Sequence, residues 1–247
     1  MGAKIIHKDN LLVVADPVFS LKDQRAQQAG ATRLSKKERE YNIQRMEPME
    51  GSAGPVFPQL PETRILADSL VNIYGENCLA LTGLKADKSD FLTKIAPRID
   101  QYGIVVFATH GVLANQVPGI MEPFLALTMV PPGTDGALTM SDILSLKMNA
   151  DVVALTACQT GLGKDVSGEG VMSMGRAFQY AGARSVLMSL WSVAEKSSVM
   201  LVESFFQHRK SGQSKLESLK SARDDIRNAG FKHPYFWAAF ILVGEAN

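Results

Sequence analysis

The sequence predicts an α/β protein: a mainly parallel sheet of about six strands with helices on both faces. Three observations lead there. Short apolar runs, among them Leu11-Leu-Val-Val14, Ile104-Val-Val-Phe107 and Val152-Val-Ala-Leu155, recur along the chain and read as buried strands. Amphipathic stretches of helical period separate them, the alternation that builds crossover units. With 46% of 247 residues hydrophobic, one continuous core is affordable in composition.

Each element has its own signal. After the strand Leu11–Ala15, residues 20–55 are strongly charged and poor in large apolar side chains, so they are expected to form a mobile surface insertion. A sharper reading makes this stretch a regulatory or self-cleaved loop. Thr63–Tyr74 carries Leu66, Leu70 and Ile73 on one helical face and stops at Gly75. Cys78–Thr82 is a strand, which makes Cys78 a core residue. Asp87–Ile95 is a second helix, capped by Asp87, and Gly103–Thr109 the strand after it. The excursion Val112–Gly136 is rich in Pro and Gly, with Phe124–Thr128 a short outlying strand inside it. Thr139-Met-Ser-Asp142 has the spacing of a capping box, and Asp151–Thr156 is the next strand. Val171–Ala181 is a helix stopped by Gly182, followed by the strand Ser185–Leu190. Helices Lys196–His208 and Ser214–Asn228 and a closing strand Phe236–Val243 complete the pattern.

Two motifs stand immediately past strands: Ala108-Thr-His-Gly111 and Thr156-Ala-Cys-Gln-Thr-Gly161. In open α/β sheets ligands and chemistry gather at the carboxyl ends of the strands. A histidine and a cysteine at two such ends suit a general base and a thiol nucleophile. Their spacing is close to the roughly 50 residues that separate the caspase pair, and Thr-Ala-Cys-Gln nearly echoes that family's cysteine signature. A lone cysteine on a strand is usually a buried hydrophobe. Cys158 instead ends its strand, and Gly161 and Gly163 follow it, where glycine lets a substrate backbone approach.

From Leu60 onward the chain resembles the CHAT domain family, caspase- and separase-like cysteine peptidases often found behind tetratricopeptide repeats. The resemblance rests on Phe107-Ala-Thr-His-Gly111, Asn149 through Gly163 around Cys158, Gly168-Glu-Gly170, Arg176 through Ser185, Ser189-Leu-Trp191 and His233 through Phe240. It implies a caspase-like three-layer fold, with His110 as the base and Cys158 as the nucleophile of a cysteine endopeptidase. At Ser192-Val-Ala-Glu195 the chain departs from the pattern, because many relatives carry an acidic pair directly after Trp-x-Val. The family also implies an upstream tetratricopeptide-repeat sensor. The early first strand fits a fragment of a longer protein.

The expected reaction is peptide hydrolysis through an acyl-enzyme, with the amides of Gly111 and Cys158 forming the oxyanion hole. Asp16, directly after the first strand, has two readings. It is the buried acid of a pocket for a substrate Arg or Lys, or it caps the turn made with Pro17. Ser189 and Trp191, at another strand end, are candidate walls of the same cleft.

Composition narrows the alternatives. A net charge of +1 gives no footprint for nucleic acid or an anionic membrane. No apolar run approaches the roughly 20 residues of a membrane span. Two cysteines make no disulfide framework, so a reducing, cytoplasmic setting is expected. No His/Cys cluster has zinc spacing, and no metal or cofactor is expected. The partner is a protein or peptide substrate. Two other classes compete: a catalytically silent binding or scaffolding module, and a nucleotide-binding protein. Ala15-Asp-Pro17 in place of a glycine-rich turn argues against the second.

Overall fold

A computed structural model describes residues 9–29, 57–117, 119–130, 135–156 and 169–247, with side chains from 172 onward in the last stretch. Of the expected insertion, residues 20–29 are therefore described and 30–56 lie outside.

Numbered in chain order, the main sheet consists of β1 (Leu11–Pro17), β2 (Cys78–Gly83), β3 (Ile104–Ala108), β7 (Val152–Leu155), β8 (Ser185–Ser189) and β9 (Phe240–Gly244). Their spatial order is β2-β1-β3-β7-β8-β9, with every pairing parallel except the antiparallel β8–β9 edge. This is the predicted α/β class, and the strand alternation explains its layers. Leu12, Val14, Val105, Phe107, Val153, Leu155, Val186 and Met188 point to one face. There they meet Phe91, Ile95, Ile99, Ile143, Met174 and Phe178. Leu11, Val13, Val106, Ala108, Val152, Ala154 and Leu187 point to the other, against Leu66, Leu70, Val202, Phe205, Phe206, Leu219 and Ile226. A period-2 strand buried on both sides needs apolar residues at every position, which is why these runs carry no polar alternation.

The second face is covered by helices α2 (Pro61–Tyr74), α6 (Glu195–Lys210) and α7 (Lys215–Asn228). Pro61 opens α2, where its missing N–H costs nothing. Ser214 and Glu217 close a reciprocal capping box at the start of α7. The first face carries α3 (Lys88–Asp90), α4 (Met140–Leu144) and α5 (Glu169–Tyr180). Thr139 and Asp142 form the expected capping box on α4. After α5, Gly182 adopts φ 112°, and a Cβ there would lie 2.2 Å from the Met148 carbonyl oxygen, so only glycine fits. A separate small antiparallel sheet, β4 (Gly111–Val112), β5 (Phe124–Ala126) and β6 (Ala137–Thr139), emerges from the excursion after β3.

Two expectations require correction. Asp87 caps as predicted, accepting from the Asp90 amide at 2.9 Å, but the helix after it changes pitch. It widens to a π-turn over Phe91–Ile95 and tightens to a 3-10 helix over Ala96–Gln101. Pro97 lacks the donor a regular helix needs, while Phe91, Ile95 and Ile99 must all reach the sheet. The last strand begins at Phe240 rather than Phe236. His233 Nδ1 accepts from the Tyr235 amide at 3.2 Å and caps a 3-10 turn over Pro234–Phe236 instead.

Candidate active site

Strand β3 delivers His110 to the carboxyl edge of the sheet. The side chain is 4% exposed, with its ring between Phe19 and Phe57 at centroid separations of 5.1 and 5.6 Å. Nε2 lies 2.7 Å from the Pro58 carbonyl oxygen. A carbonyl only accepts, so this contact places the proton on Nε2 and leaves the Nδ1 lone pair as the basic site. Burial pushes the imidazole below its ordinary range, and the hydrogen bond to Pro58 opposes this shift. A neutral, oriented imidazole results.

The backbone just beyond is pinned by the small sheet. Thr109 Oγ1 donates to the Ala126 carbonyl, and the Ala126 amide donates to the His110 carbonyl at 2.8 Å. Gly111 pairs with Leu125 in the next register position. Hydrogen-bonded and non-hydrogen-bonded pairs alternate along an antiparallel ladder, so the Gly111 amide turns away from β5.

Cys158 lies outside the described residues, as do Gly161 and Gly163. The strand leading toward it is well defined. β7 is the parallel neighbour of β3, Phe107 stands opposite Leu155, and the Thr156 amide donates to the Phe107 carbonyl at 3.1 Å. His110 and Cys158 each follow this register pair by three residues in sequence.

Asp16 occupies the same edge, on the other side of β3. Ala15 is opposite Ala108 in the β1–β3 ladder. The β1–β2 register slips between Ala15 and Pro17, and Asp16 takes a left-handed φ of 48°. A non-glycine residue held in this way at a bulge has its side chain re-aimed, a feature that concentrates at functional sites. The carboxylate does not cap the Pro17 turn. Oδ2 accepts from Arg25 Nη1 at 2.5 Å. Oδ1 is buried and accepts no bond, although the Gln59 side chain comes near the group. Burial raises the carboxyl above its ordinary range, against the pull of Arg25.

Ser189 ends β8 and is buried. Trp191, just beyond, is 37% exposed and tethered through its indole N–H to the Tyr235 carbonyl at 3.2 Å. These two residues lie across β7 from His110. His110 and Asp16 thus stand at adjacent strand ends, while Ser189 and Trp191 flank the edge from the far side.

Sequence reasoning missed three participants. The Pro58 carbonyl is a backbone group and has no residue-type signature. Arg25 was indistinguishable from the other charges of its polar stretch. Glu195 accepts from the Glu62 amide at 2.9 Å and so caps the start of α2 from a neighbouring helix. Burial raises its carboxyl, the Glu62 and Thr63 amides lower it, and the charges of Glu62 and Asp16 raise it further. Its place beside the departure at Ala194 was the available signal. Among the described residues no helix is long and apolar enough to cross a membrane, and no cluster of three or more His, Cys, Asp or Glu could hold a metal ion.

The chain is 35% identical over 116 residues to tetratricopeptide repeat protein 28 of Mus musculus, and matches the Homo sapiens protein of that name to the same extent. Those alignments cover 47% of this chain and 5% of each relative. The family model of the CHAT domain matches residues 3–245. On that match over nearly its whole length, the chain belongs to the CHAT domain family.

Proposed function

We propose that this chain is a cysteine endopeptidase in which Cys158 and His110 form the catalytic dyad. The observation that carries the reading is the His110–Pro58 contact. It fixes the tautomer of a buried ring at the end of the strand next to β7, the strand that precedes Cys158 in sequence. Cys158 Sγ attacks the scissile carbonyl as His110 Nδ1 takes the thiol proton. The amides of Gly111 and Cys158 donate to the tetrahedral oxyanion. Collapse breaks the C–N bond, the imidazolium protonates the leaving amine, and water then hydrolyses the thioester with His110 again as base. Asp16 selects a basic side chain before the cleaved bond, Ser189 and Trp191 line the cleft, and no cofactor takes part. The chemistry needs a free thiol, which suits a reducing, cytoplasmic compartment. The likeness to proteins named for tetratricopeptide repeats supports a repeat region as the partner that presents substrate or signal.

The test is covalent capture by an acyloxymethyl ketone bearing an arginine recognition residue. Labelling of the native chain that is lost in both Cys158→Ala and His110→Ala is the expected result. Labelling that survives in Cys158→Ala overturns the assignment. A second reading, a silent binding module, is favoured by the salt bridge that already engages Asp16. Absence of labelling in the correctly folded native chain selects it.

A further inference from the structure

The guanidinium of Arg25 is clasped by two carboxylates. Nη1 reaches Asp16 Oδ2 at 2.5 Å and the Asp16 carbonyl at 3.2 Å. Nε and Nη2 reach Asp23 Oδ1 and Oδ2 at 3.0 and 2.7 Å. The Asp16 side chain is 5% exposed and that of Arg25 28%. Arg25 belongs to α1 (Gln24–Gln28), a five-residue helix too short to be stable alone. That helix is anchored by Ala26 packed with Val18 and Val130. The place at Asp16 is therefore already shaped for a guanidinium: a buried carboxylate and a carbonyl converge on one nitrogen, and Oδ1 is left as a further acceptor.

We infer that Arg25 is a built-in competitor for Asp16, holding in cis the position that a substrate arginine takes in trans. The inference rests on the reading of Asp16 as the specificity acid, and deepens it. Asp23 makes the exchange feasible. Because the guanidinium is a rigid plane, Arg25 leaves Asp16 together with Asp23, the N-cap of the same short helix, so the Nε and Nη2 bonds travel with it and only the Nη1 contacts are surrendered. Simultaneous occupancy is disfavoured, because two guanidinium groups at one carboxylate repel each other in a partly desolvated site. Arg25 offers Asp16 a single nitrogen, so Oδ1 leaves a substrate guanidinium a second contact to make, which its planar fork meets better than an ammonium does.

The experiment is chemical rescue of the full chain. Arg25→Ala should unfold at lower temperature than the native protein. Ethylguanidinium at millimolar concentration should raise its Tm by about 3 °C more than it raises the native Tm, with ethylammonium giving a smaller rise. The double variant with Asp16→Asn should show no such rise. Equal shifts in Arg25→Ala and the native chain, or a shift that survives Asp16→Asn, overturn the inference. Arg25→Gln carries the same comparison should the alanine variant fail to fold. On paired peptides with arginine or norleucine before the cleaved bond, Arg25→Gln should raise the kcat/KM ratio for arginine about tenfold, or 1.4 kcal/mol. A fall in that ratio would make Arg25 a positioning residue for Asp16 and also overturn the inference. Rescue without cleavage removes the peptidase reading and the competitor with it, leaving a structural ion pair, whereas cleavage without rescue overturns the competitor alone.

Discussion

Two buried aspartates lie near opposite ends of the same sheet and are treated differently. Asp151, just before β7, is closed: Oδ1 accepts from Lys215 at 2.9 Å and Oδ2 from Arg209 at 3.1 Å. Lys215 is fully buried, and its ammonium also faces the Asp151 carbonyl at 3.4 Å. Asp16, at the carboxyl end of β1, is buried but half satisfied, with one oxygen bonded to Arg25 and the other near the Gln59 side chain without a hydrogen bond. Asp16 also sits in a left-handed bulge. A closed ion cluster joins α6 and α7 to the sheet. A carboxylate with one unbonded oxygen keeps the capacity to accept a further donor. The contrast separates a structural acid from a candidate specificity acid without reference to residue type.

The largest effect should come from the closed end. Asp151→Ala strands the Lys215 ammonium in the core, and removing one partner of a buried pair costs about 3–5 kcal/mol. Urea denaturation followed by circular dichroism would measure it. A loss below about 1 kcal/mol would show that Lys215 finds water or another acceptor, and the distinction between the two acids would weaken.

Asp16→Asn should invert the pattern, with a smaller stability loss and a larger functional one. Hydrogen bonds to charged groups are worth about 1.5–3 kcal/mol. On that scale, kcat/KM for arginine peptides should fall about 30-fold, while peptides with a neutral residue at that position change little. Equal losses on both peptide classes would remove Asp16 from specificity and leave it a structural residue like Asp151.

The contrast also shows what the sequence could and could not disclose. The α/β class, the parallel strands and the capping boxes at Thr139 and Ser214 were legible because they depend on local periodicity and on residues three apart. His110 and Asp16 were legible as strand-end residues because each follows an apolar run directly. The Pro58 carbonyl was hidden because it acts through backbone brought back from 52 residues away. The Arg25 contact depends on a bulge that no side-chain pattern announces. The pitch change over Phe91–Gln101 was hidden for a different reason: core packing and Pro97 together overrode a helical propensity that is a weak prior.

His110 gives a smaller, pH-dependent test. Its folded pKa is held below the ordinary value of 6.5, first by burial. The unfolded chain therefore binds the proton more readily, and stability contributed by the neutral buried ring is present above about pH 6.5 and lost as pH falls through that value toward the folded pKa. Thermal unfolding between pH 7.5 and about 5 should show this loss in the native chain and a reduced loss in His110→Gln. The acid limb of kcat/KM should likewise fall below the value for a free imidazole, because the free enzyme needs His110 neutral. An acid limb well above it would place a cationic histidine at the site.

The smallest expected effect is at Lys94–Asp90, an i,i+4 pair whose side chains are 66% and 53% exposed although 2.8 Å apart. Its bond is as short as those of Asp151, yet water screens both charges, so Lys94→Ala should cost no more than about 0.5 kcal/mol and leave the arginine preference untouched. Measured beside Asp151→Ala, it isolates burial as the variable. Equal destabilisation in the two variants would mean that pairing distance, and not desolvation, governs how an acid contributes in this fold. The unbonded oxygen of Asp16 would then lose its meaning as a marker of function.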